Sequence, residues 1–219
     1  AEARVTESIV EDDQLLADIP RAMKIMDIFK KYSMIWFEEG GVSMFKLMKP
    51  GHGLTYKSII DKMAETGCYR FYLAIESANP RSLGESHKPI INAQMDDAVE
   101  IVRYIASKGI QAVGGFMIGF KSNGYEESFD DMRRTVEYAQ RLKKAGLAYV
   151  MLFIYTALPG TAVYPALKPF VRGYTSHERA GFTIGGLSPE QLTELRLEWM
   201  KEINGDSMDM AIASRNWGI

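Results

Sequence analysis

The 219 residues are enough for one domain with a sizeable core, and 47% apolar against 25% charged is the balance of a globular protein. With 26 Lys and Arg against 28 Asp and Glu the formal net charge is -2, so nothing draws the chain electrostatically to nucleic acid or to an anionic membrane. One cysteine, Cys68, excludes an internal disulfide and any iron–sulfur site built from three or four thiolates of this chain.

No stretch approaches 18 apolar residues without a charge, so no membrane span is expected. The start, Ala1-Glu2-Ala3-Arg4, has neither Met nor a secretory apolar run. It reads as the middle of a longer gene product or as what processing or engineering left behind, and a cytoplasmic location is expected.

In chain order, residues 5–10 (VTESIV) form a β-rich run that ends in Glu11-Asp12-Asp13. Residues 14–31 carry Leu15, Ile19, Ala22, Met23, Met26 and Phe29 at helical spacing, with Pro20 early enough for a first turn. Residues 33–37 (SMIWF) are a short strand that stops at Glu38-Glu39-Gly40-Gly41, and residues 42–54 read as irregular. Thr55 caps a helix with Ile59, Ile60 and Met63 on its buried face and Gly67 at its end. Residues 69–75 (YRFYLAI) are a strand running into Glu76-Ser77.

Residues 92–108 give the cleanest amphipathic helix, closed by Gly109, and residues 111–118 (QAVGGFMI) the next strand. A helix over 126–145, stopped at Gly146, leads to a last strong strand over 147–155. Thr161 to Leu167 allows one helical turn. Residues 169–186 read as a surface excursion, and Ser188-Pro189-Glu190-Gln191 is a capping-box helix start. Regular strand–helix alternation with nearly continuous apolar strands predicts an α/β fold, a parallel sheet covered by helices.

In such folds functional groups gather at the carboxyl ends of strands. That rule selects Asp12 and Asp13, Glu38 and Glu39, Glu76 and Ser77, residues 119–124 and residues 155–160, all expected on one rim. Asp12 and Asp13 are adjacent and diverge, one inward and one free to cap the next helix. Glu38-Glu39 reads mainly as a solvated turn. Glu76 is the sharpest of these: a strand-end carboxylate can accept hydrogen bonds from a vicinal diol such as a ribose, or else pair with a local basic residue. Gly114, Gly115 and Gly119 let a flat ligand approach the backbone, without matching a dinucleotide or phosphate-loop fingerprint. His52, His87 and His177 are dispersed and form no metal motif. Cys68 reads as a buried structural thiol. No residue is nominated as catalytic or as a metal ligand.

Taken in order, Val10-Glu11-Asp12-Asp13, Tyr72-Leu73-Ala74-Ile75-Glu76-Ser77 with Leu83 and Lys88, Gly115-Phe116-Met117-Ile118-Gly119-Phe120 and Thr156-Ala157-Leu158-Pro159-Gly160-Thr161 resemble the radical S-adenosylmethionine (SAM) superfamily. The likeness is to the branch whose larger members carry a cobalamin-binding domain, and it covers residues 5–167. It implies a partial (β/α)6 barrel in which three cysteines hold a [4Fe–4S] cluster that cleaves SAM to a 5′-deoxyadenosyl radical. By this resemblance Glu76, with Ser77 beside it, stands where the SAM ribose is bound. Gly115, Met117 and Gly119 lie in the stretch that backs the adenine. Asp12 and Asp13 stand near SAM or substrate, Tyr155 begins the segment lining the pocket, and Lys88 has an unassigned polar role.

Two departures qualify the resemblance. No C-x3-C-x2-C motif is present, so residues 5–10 correspond to the family's second barrel strand and the barrel is expected to be truncated at its N-terminal strand. The usual Gly-x-Pro-Gly-Glu is replaced by Gly119-Phe120-Lys121-Ser122-Asn123-Gly124-Tyr125-Glu126. The expectation is therefore an incomplete barrel over 1–168 with a helical extension over 169–219, acting on a small-molecule substrate. SAM is its implied cofactor; the [4Fe–4S] cluster and cobalamin belong to a full-length parent, a cobalamin-dependent methyltransferase. An open barrel edge would allow self-association. The alternatives are a degenerate barrel that binds a ligand or partner, and an ordinary α/β-barrel lyase using Lys88.

Overall fold

A computed structural model describes residues 5–85, 87–122, 124–172 and 176–205. In chain order the elements are β1 (Glu7–Val10), α1 (Ile19–Lys31), β2 (Ile35–Ser43), α2 (Met44–Met48), α3 (Tyr56–Glu65), β3 (Cys68–Glu76), α4 (Pro80–Glu85), α5 (Met95–Ser107) and β4 (Gln111–Ile118). They continue as β5 (Lys121–Ser122), β6 (Tyr125–Glu126), α6 (Phe129–Ala145), β7 (Tyr149–Ile154), α7 (Tyr164–Leu167) and α8 (Pro189–Asn204). Five strands form one sheet in the order β1-β2-β3-β4-β7, and the β1–β2 and β2–β3 pairs are parallel. This is the expected α/β architecture. Among the described residues no helix is long and apolar enough to cross a membrane.

The chain divides into two compact units. The first holds Ala1–Ile75, Gln94–Gly114 and Lys144–Ala148, and the second Glu76–Ala93, Gly115–Lys143 and Tyr149–Ile219. The boundary expected at residue 168 falls inside the second unit. Residues 206–219, which include the tail of the expected C-terminal extension from Ser207 to Ile219, lie outside the described residues.

In the first unit the amphipathic patterns become helix faces on the sheet. Trp36 of β2 stacks on Phe29 of α1 with ring centroids 5.3 Å apart, and its indole N–H donates to the Thr66 carbonyl at 2.9 Å. Ile59, Ile60 and Met63 of α3 and Val102 and Ile105 of α5 are buried, as their spacing requires. Asp18, not Asp12 or Asp13, caps α1, accepting from the Arg21 N–H at 3.0 Å, and Pro20 sits in the first turn. Thr55 and Ser58 form a reciprocal capping box at the start of α3.

β2 is longer than its sequence suggests. It runs through Glu38-Glu39-Gly40-Gly41, where a turn was expected, and reaches Ser43. From Glu38 to Val42 it advances four residues while β3 advances two, Phe71 to Leu73, so β2 bulges by two residues. Gly40 makes this possible, because a Cβ there would lie 2.1 Å from the Asp12 carbonyl oxygen. The stretch after β2, expected as irregular, holds the short helix α2.

In the second unit α6 starts at Phe129, three residues later than expected, because Tyr125 and Glu126 pair with Lys121 and Ser122 in the β5–β6 hairpin. Ser128 caps α6, accepting from the Asp131 N–H at 3.1 Å. Phe116 of β4 meets Tyr138 of α6 edge to face at 5.8 Å. α8 begins with the expected Ser188–Gln191 capping box. Its far end closes the backbone of β7. Asn204 accepts from Val150 N–H and donates to Val150 C=O, both at 2.9 Å, and Arg196 donates to Leu152 C=O at 2.5 Å. β7 ends the strand order and is thus bonded along its edge by side chains. At the other end of that order Ile9 of β1 is exposed, as is Val5 just before the strand.

Candidate cofactor-binding site

In the second unit the strand ends carry most of the nominated residues. Glu76, the last residue of β3, has φ +81°, a conformation that side-chain-bearing residues rarely adopt. Holding it there costs about 1–3 kcal/mol, and such strain collects at ligand clamps. Its carboxylate, 16% exposed, accepts from Lys88 Nζ at 2.9 Å. His87, next to Lys88, also has positive φ (56°), so the segment returning to Glu76 is tightly folded.

Ser77 is fully buried. Its hydroxyl accepts from the Asn79 N–H at 2.9 Å and lies 3.1 Å from Thr135 Oγ1, so it anchors the loop that follows β3. On β4, Phe116 and Ile118 are fully buried on the side that meets α6, which leaves Gly115 and Met117 on the opposite face by strand alternation. Met117 is half-buried there. Gly119 takes φ +78°, and a Cβ on it would come within 3.2 Å of Ile184 and 3.3 Å of Leu192. Tyr155 follows β7, donates its N–H to the Ile118 carbonyl at 2.8 Å, and lies against Phe120 with centroids 5.2 Å apart. Burial pushes the Tyr155 phenol above its ordinary range.

A carboxylate that the sequence reading overlooked, Glu127, sits behind these strand ends. It is 0% exposed. Its Oε2 accepts from the N–H groups of Gly119 at 2.6 Å and Phe120 at 3.1 Å, and its Oε1 from the Ser82 hydroxyl at 2.8 Å. Burial raises its pKa to about 7, against the pull of those donors. Tyr-Glu-Glu-Ser reads as a solvated helix start; the signal that could have separated Glu127 from it is Ser128-x-x-Asp131, which places the cap one residue later.

In the first unit Asp12 accepts from the Gln14 N–H at 3.0 Å and from Arg21 Nη2 at 2.6 Å, and the Gln14 bond chiefly lowers its pKa. Asp13 is exposed. Glu38, expected on a solvated turn, is instead 1% exposed within β2. Its Oε1 accepts from the Gly41 N–H across the bulge, while Oε2 has no hydrogen-bond partner among the described residues. Burial raises its pKa to about 7, opposed by the Gly41 and Tyr72 amides and reinforced by the charges of Asp12 and Glu39.

No described group of three His, Cys, Asp or Glu side chains could hold a metal ion. Cys68 is buried at the first residue of β3, its thiol bonded to the Arg70 carbonyl and pushed far up by desolvation. That is a structural thiol at the strand end away from Glu76, and this chain's residues do not fit a [4Fe–4S] cluster.

No family model matches the chain. A curated relative, the cytidylyl-2-hydroxyethylphosphonate methyltransferase of Streptomyces wedmorensis, is 25% identical over 213 residues, which covers 91% of this chain and 37% of that protein. An uncharacterized methyltransferase of Pyrococcus horikoshii is 33% identical over 108 residues, 49% of this chain and 21% of its own length. The chain thus spans little more than a third of the one relative and about a fifth of the other.

Among solved structures, the radical SAM methyltransferase TsrM from Kitasatospora setae, with cobalamin and a [4Fe–4S] cluster bound, superposes with a TM-score of 0.58. It is 12% identical and covers 90% of this chain and 37% of that one. The Escherichia coli coproporphyrinogen III oxidase HemN, a radical SAM enzyme, gives 0.53 at 11% identity, covering 86% of this chain and 37% of its own. The chain has the fold of the radical SAM catalytic barrel and resembles that superfamily in sequence.

Proposed function

We propose that this chain is the SAM-binding portion of a radical SAM barrel, and that the adenosine of SAM lies along the strand ends of the second unit. The observation that carries the reading is Glu76: a carboxylate at the carboxyl end of β3, held at φ +81° and paired with Lys88. A carboxylate so placed accepts two hydroxyls of a vicinal diol. The face of β4 that bears Gly115 and Met117, with Tyr155 after β7, is the apolar surface assigned to the purine, and Gly119, packed under Ile184 and Leu192, turns the chain at the end of that strand. Ser77 supports the loop from beneath.

SAM, when bound, supplies the sulfonium from which a methyl or a 5′-deoxyadenosyl group is released. The residues of this chain bind and orient its nucleoside. The radical step needs a cluster that these residues do not cradle, so none of them is given a part in it. The methyltransferase relatives and the TsrM fold support a parent that transfers methyl groups to a small molecule with cobalamin as a further cofactor. Asp12 and Asp13, which follow β1 in the first unit, are proposed independently of the adenosine site as carboxylates for a polar group of the substrate. A Schiff-base lyase through Lys88 is less favoured, because that lysine is 47% exposed and ion-paired instead of sunk in an apolar strand.

The test is calorimetric titration of the chain with S-adenosylhomocysteine. The expected result is saturable binding that weakens roughly 10- to 100-fold in Glu76→Ala, the worth of hydrogen bonds to a charged group. Absence of binding to the wild-type chain, or equal binding to Glu76→Ala, overturns the assignment. For the parent, anaerobic reconstitution of the longer gene product and a methyl-transfer assay decide the reaction.

A further inference from the structure

We infer that Glu127 is a positioning residue, fixing the loop after β4 and the loop after β3 in one arrangement so that the adenosine-facing strand ends are set before a ligand arrives. The inference rests on the reading of those strand ends as a SAM site, and deepens it. Glu127 touches the loop after β4 directly and reaches the loop after β3 through Ser82 of α4. Oε2 gathers two consecutive amides, Gly119 and Phe120, and the Glu127 N–H returns to the Phe120 carbonyl at 2.9 Å. Oε1 takes the Ser82 hydroxyl from the start of α4.

From Ser82 the polar links continue. Its Oγ lies 2.7 Å from the Tyr125 hydroxyl, which accepts from Asn79 Nδ2 at 3.2 Å. Asn79 N–H then donates to Ser77, the residue after Glu76. One unbroken chain of hydrogen bonds therefore runs from the glycine that ends β4 to the serine that follows the strained glutamate of β3. Ser77, Ser82, Glu127 and Thr135 are all fully buried, so these groups act through the backbone they hold. Gly119 needs such a hold, because its φ of +78° is maintained by the carboxylate that grips its amide.

The carboxylate accepts more strongly when ionised. Protonated, one oxygen becomes a donor and must turn the Ser82–Tyr125 pair around. With its pKa near 7, raised by burial and by Asp131 of α6, Glu127 changes state in the neutral range. The other groups facing it are Tyr125 of the hairpin and, stacked over that ring at 4.6 Å, Arg81 of α4. Beside Glu127 on the hairpin, Glu126 is engaged by Lys121 and the Gly185 N–H.

The experiment titrates wild type, Glu127→Gln and Glu127→Ala with S-adenosylhomocysteine between pH 6 and 8, and follows amide exchange at Gly119 and Phe120 without ligand. Because burial outweighs the hydrogen bonds to Glu127 and raises its pKa, the arrangement holds best with Glu127 neutral. In the wild type, affinity therefore falls several-fold as pH rises, and the two amides lose protection beyond the intrinsic change in exchange rate. Glu127→Gln binds but loses the pH dependence at both readouts; Glu127→Ala binds at least tenfold more weakly, with both amides deprotected. A Gln variant with the wild-type pH profile, or unchanged exchange in both variants, overturns the inference. If no form binds the ligand while exchange at Gly119 and Phe120 still follows Glu127 and pH, the positioning role stands and the SAM reading falls.

Discussion

Glu38 in the first unit and Glu127 in the second are buried carboxyls raised to the same value, about 7, by the same cause, and are held in opposite ways. Glu127 spends both oxygens on three donors. Glu38 has the Gly41 amide on Oε1, with the Tyr72 amide also favouring its charge, and leaves Oε2 without a partner among the described residues. Burial alone therefore does not tell what a carboxyl is for; the count of donors around it does. A satisfied group fixes its neighbourhood, whereas a half-satisfied one costs stability whenever it is ionised.

The largest expected effect is on pH. Both groups have folded pKa values above the ordinary 4.5, so the folded chain binds more protons than the unfolded chain between about 4.5 and 7. Stability is full below that window and falls as pH rises through it, by on the order of 3 kcal/mol for each group. Groups with lowered pKa, such as Asp12 and Glu202, act in the opposite sense and only at lower pH. Urea midpoints measured from pH 5 to 8 should fall with pH in the wild type and fall less in Glu38→Gln. A Gln variant no more stable than wild type at pH 8 would mean that Glu38 Oε2 has a donor after all, and the contrast with Glu127 would collapse.

At constant pH, truncation separates the two directly. Glu127→Ala strips three donors of their acceptor and should cost roughly 3 kcal/mol, whereas Glu38→Ala releases the Gly41 and Tyr72 amides but also removes an unpartnered buried oxygen, and should cost less, roughly 1 kcal/mol. Equal losses by urea denaturation would break the comparison.

Much of the fold was legible because local chemistry and tertiary structure agree. β4 spans residues 111–118 as read, and Thr55 and Ser188 cap the helices they were expected to cap. β2 was not legible. Glu-Glu-Gly-Gly is turn chemistry by composition, and pairing to β1 and β3 on either side, the Glu38–Gly41 bond and the close pass of Gly40 over the Asp12 backbone keep it extended. At the candidate site Glu76 could be found because strand register points to it. The burial of Ser77 could not, since it depends on Thr135, 58 residues along the chain. Glu127 was hidden for the same reason: its three donors come from the loop after β4 and from α4, which meet only in the folded chain.

Gly40→Ala sharpens the account of β2. A Cβ 2.1 Å from the Asp12 carbonyl oxygen and 2.6 Å from its carbon meets backbone, which cannot swing aside, so the bulge must shift. About 1–3 kcal/mol should be lost, together with the Glu38–Gly41 bond that the bulge aligns. Gly51→Ala is the control within the same unit. Its φ of +75° gives it a backbone strain that Gly40, outside the positive-φ region, does not carry, yet nothing lies within 4 Å of its Cβ. If the two variants melt alike, the close approach of Gly40 is not what holds β2 extended.

The smallest effects compare one device used in both units. Thr55 with Ser58 and Ser188 with Gln191 are reciprocal capping boxes, and Thr55→Ala and Ser188→Ala should each cost about 1 kcal/mol. The helices differ in what they do. The Ser188 helix carries Arg196 and Asn204, which bond the backbone of β7, whereas the helix begun by Thr55 contributes an apolar face. Fraying at Ser188 should therefore raise amide exchange at Val150 as well as in the first turn of α8, while fraying at Thr55 stays within α3. If exchange at Val150 does not respond, α8 holds β7 from its far end alone, and Asn204→Ala becomes the variant that opens that edge.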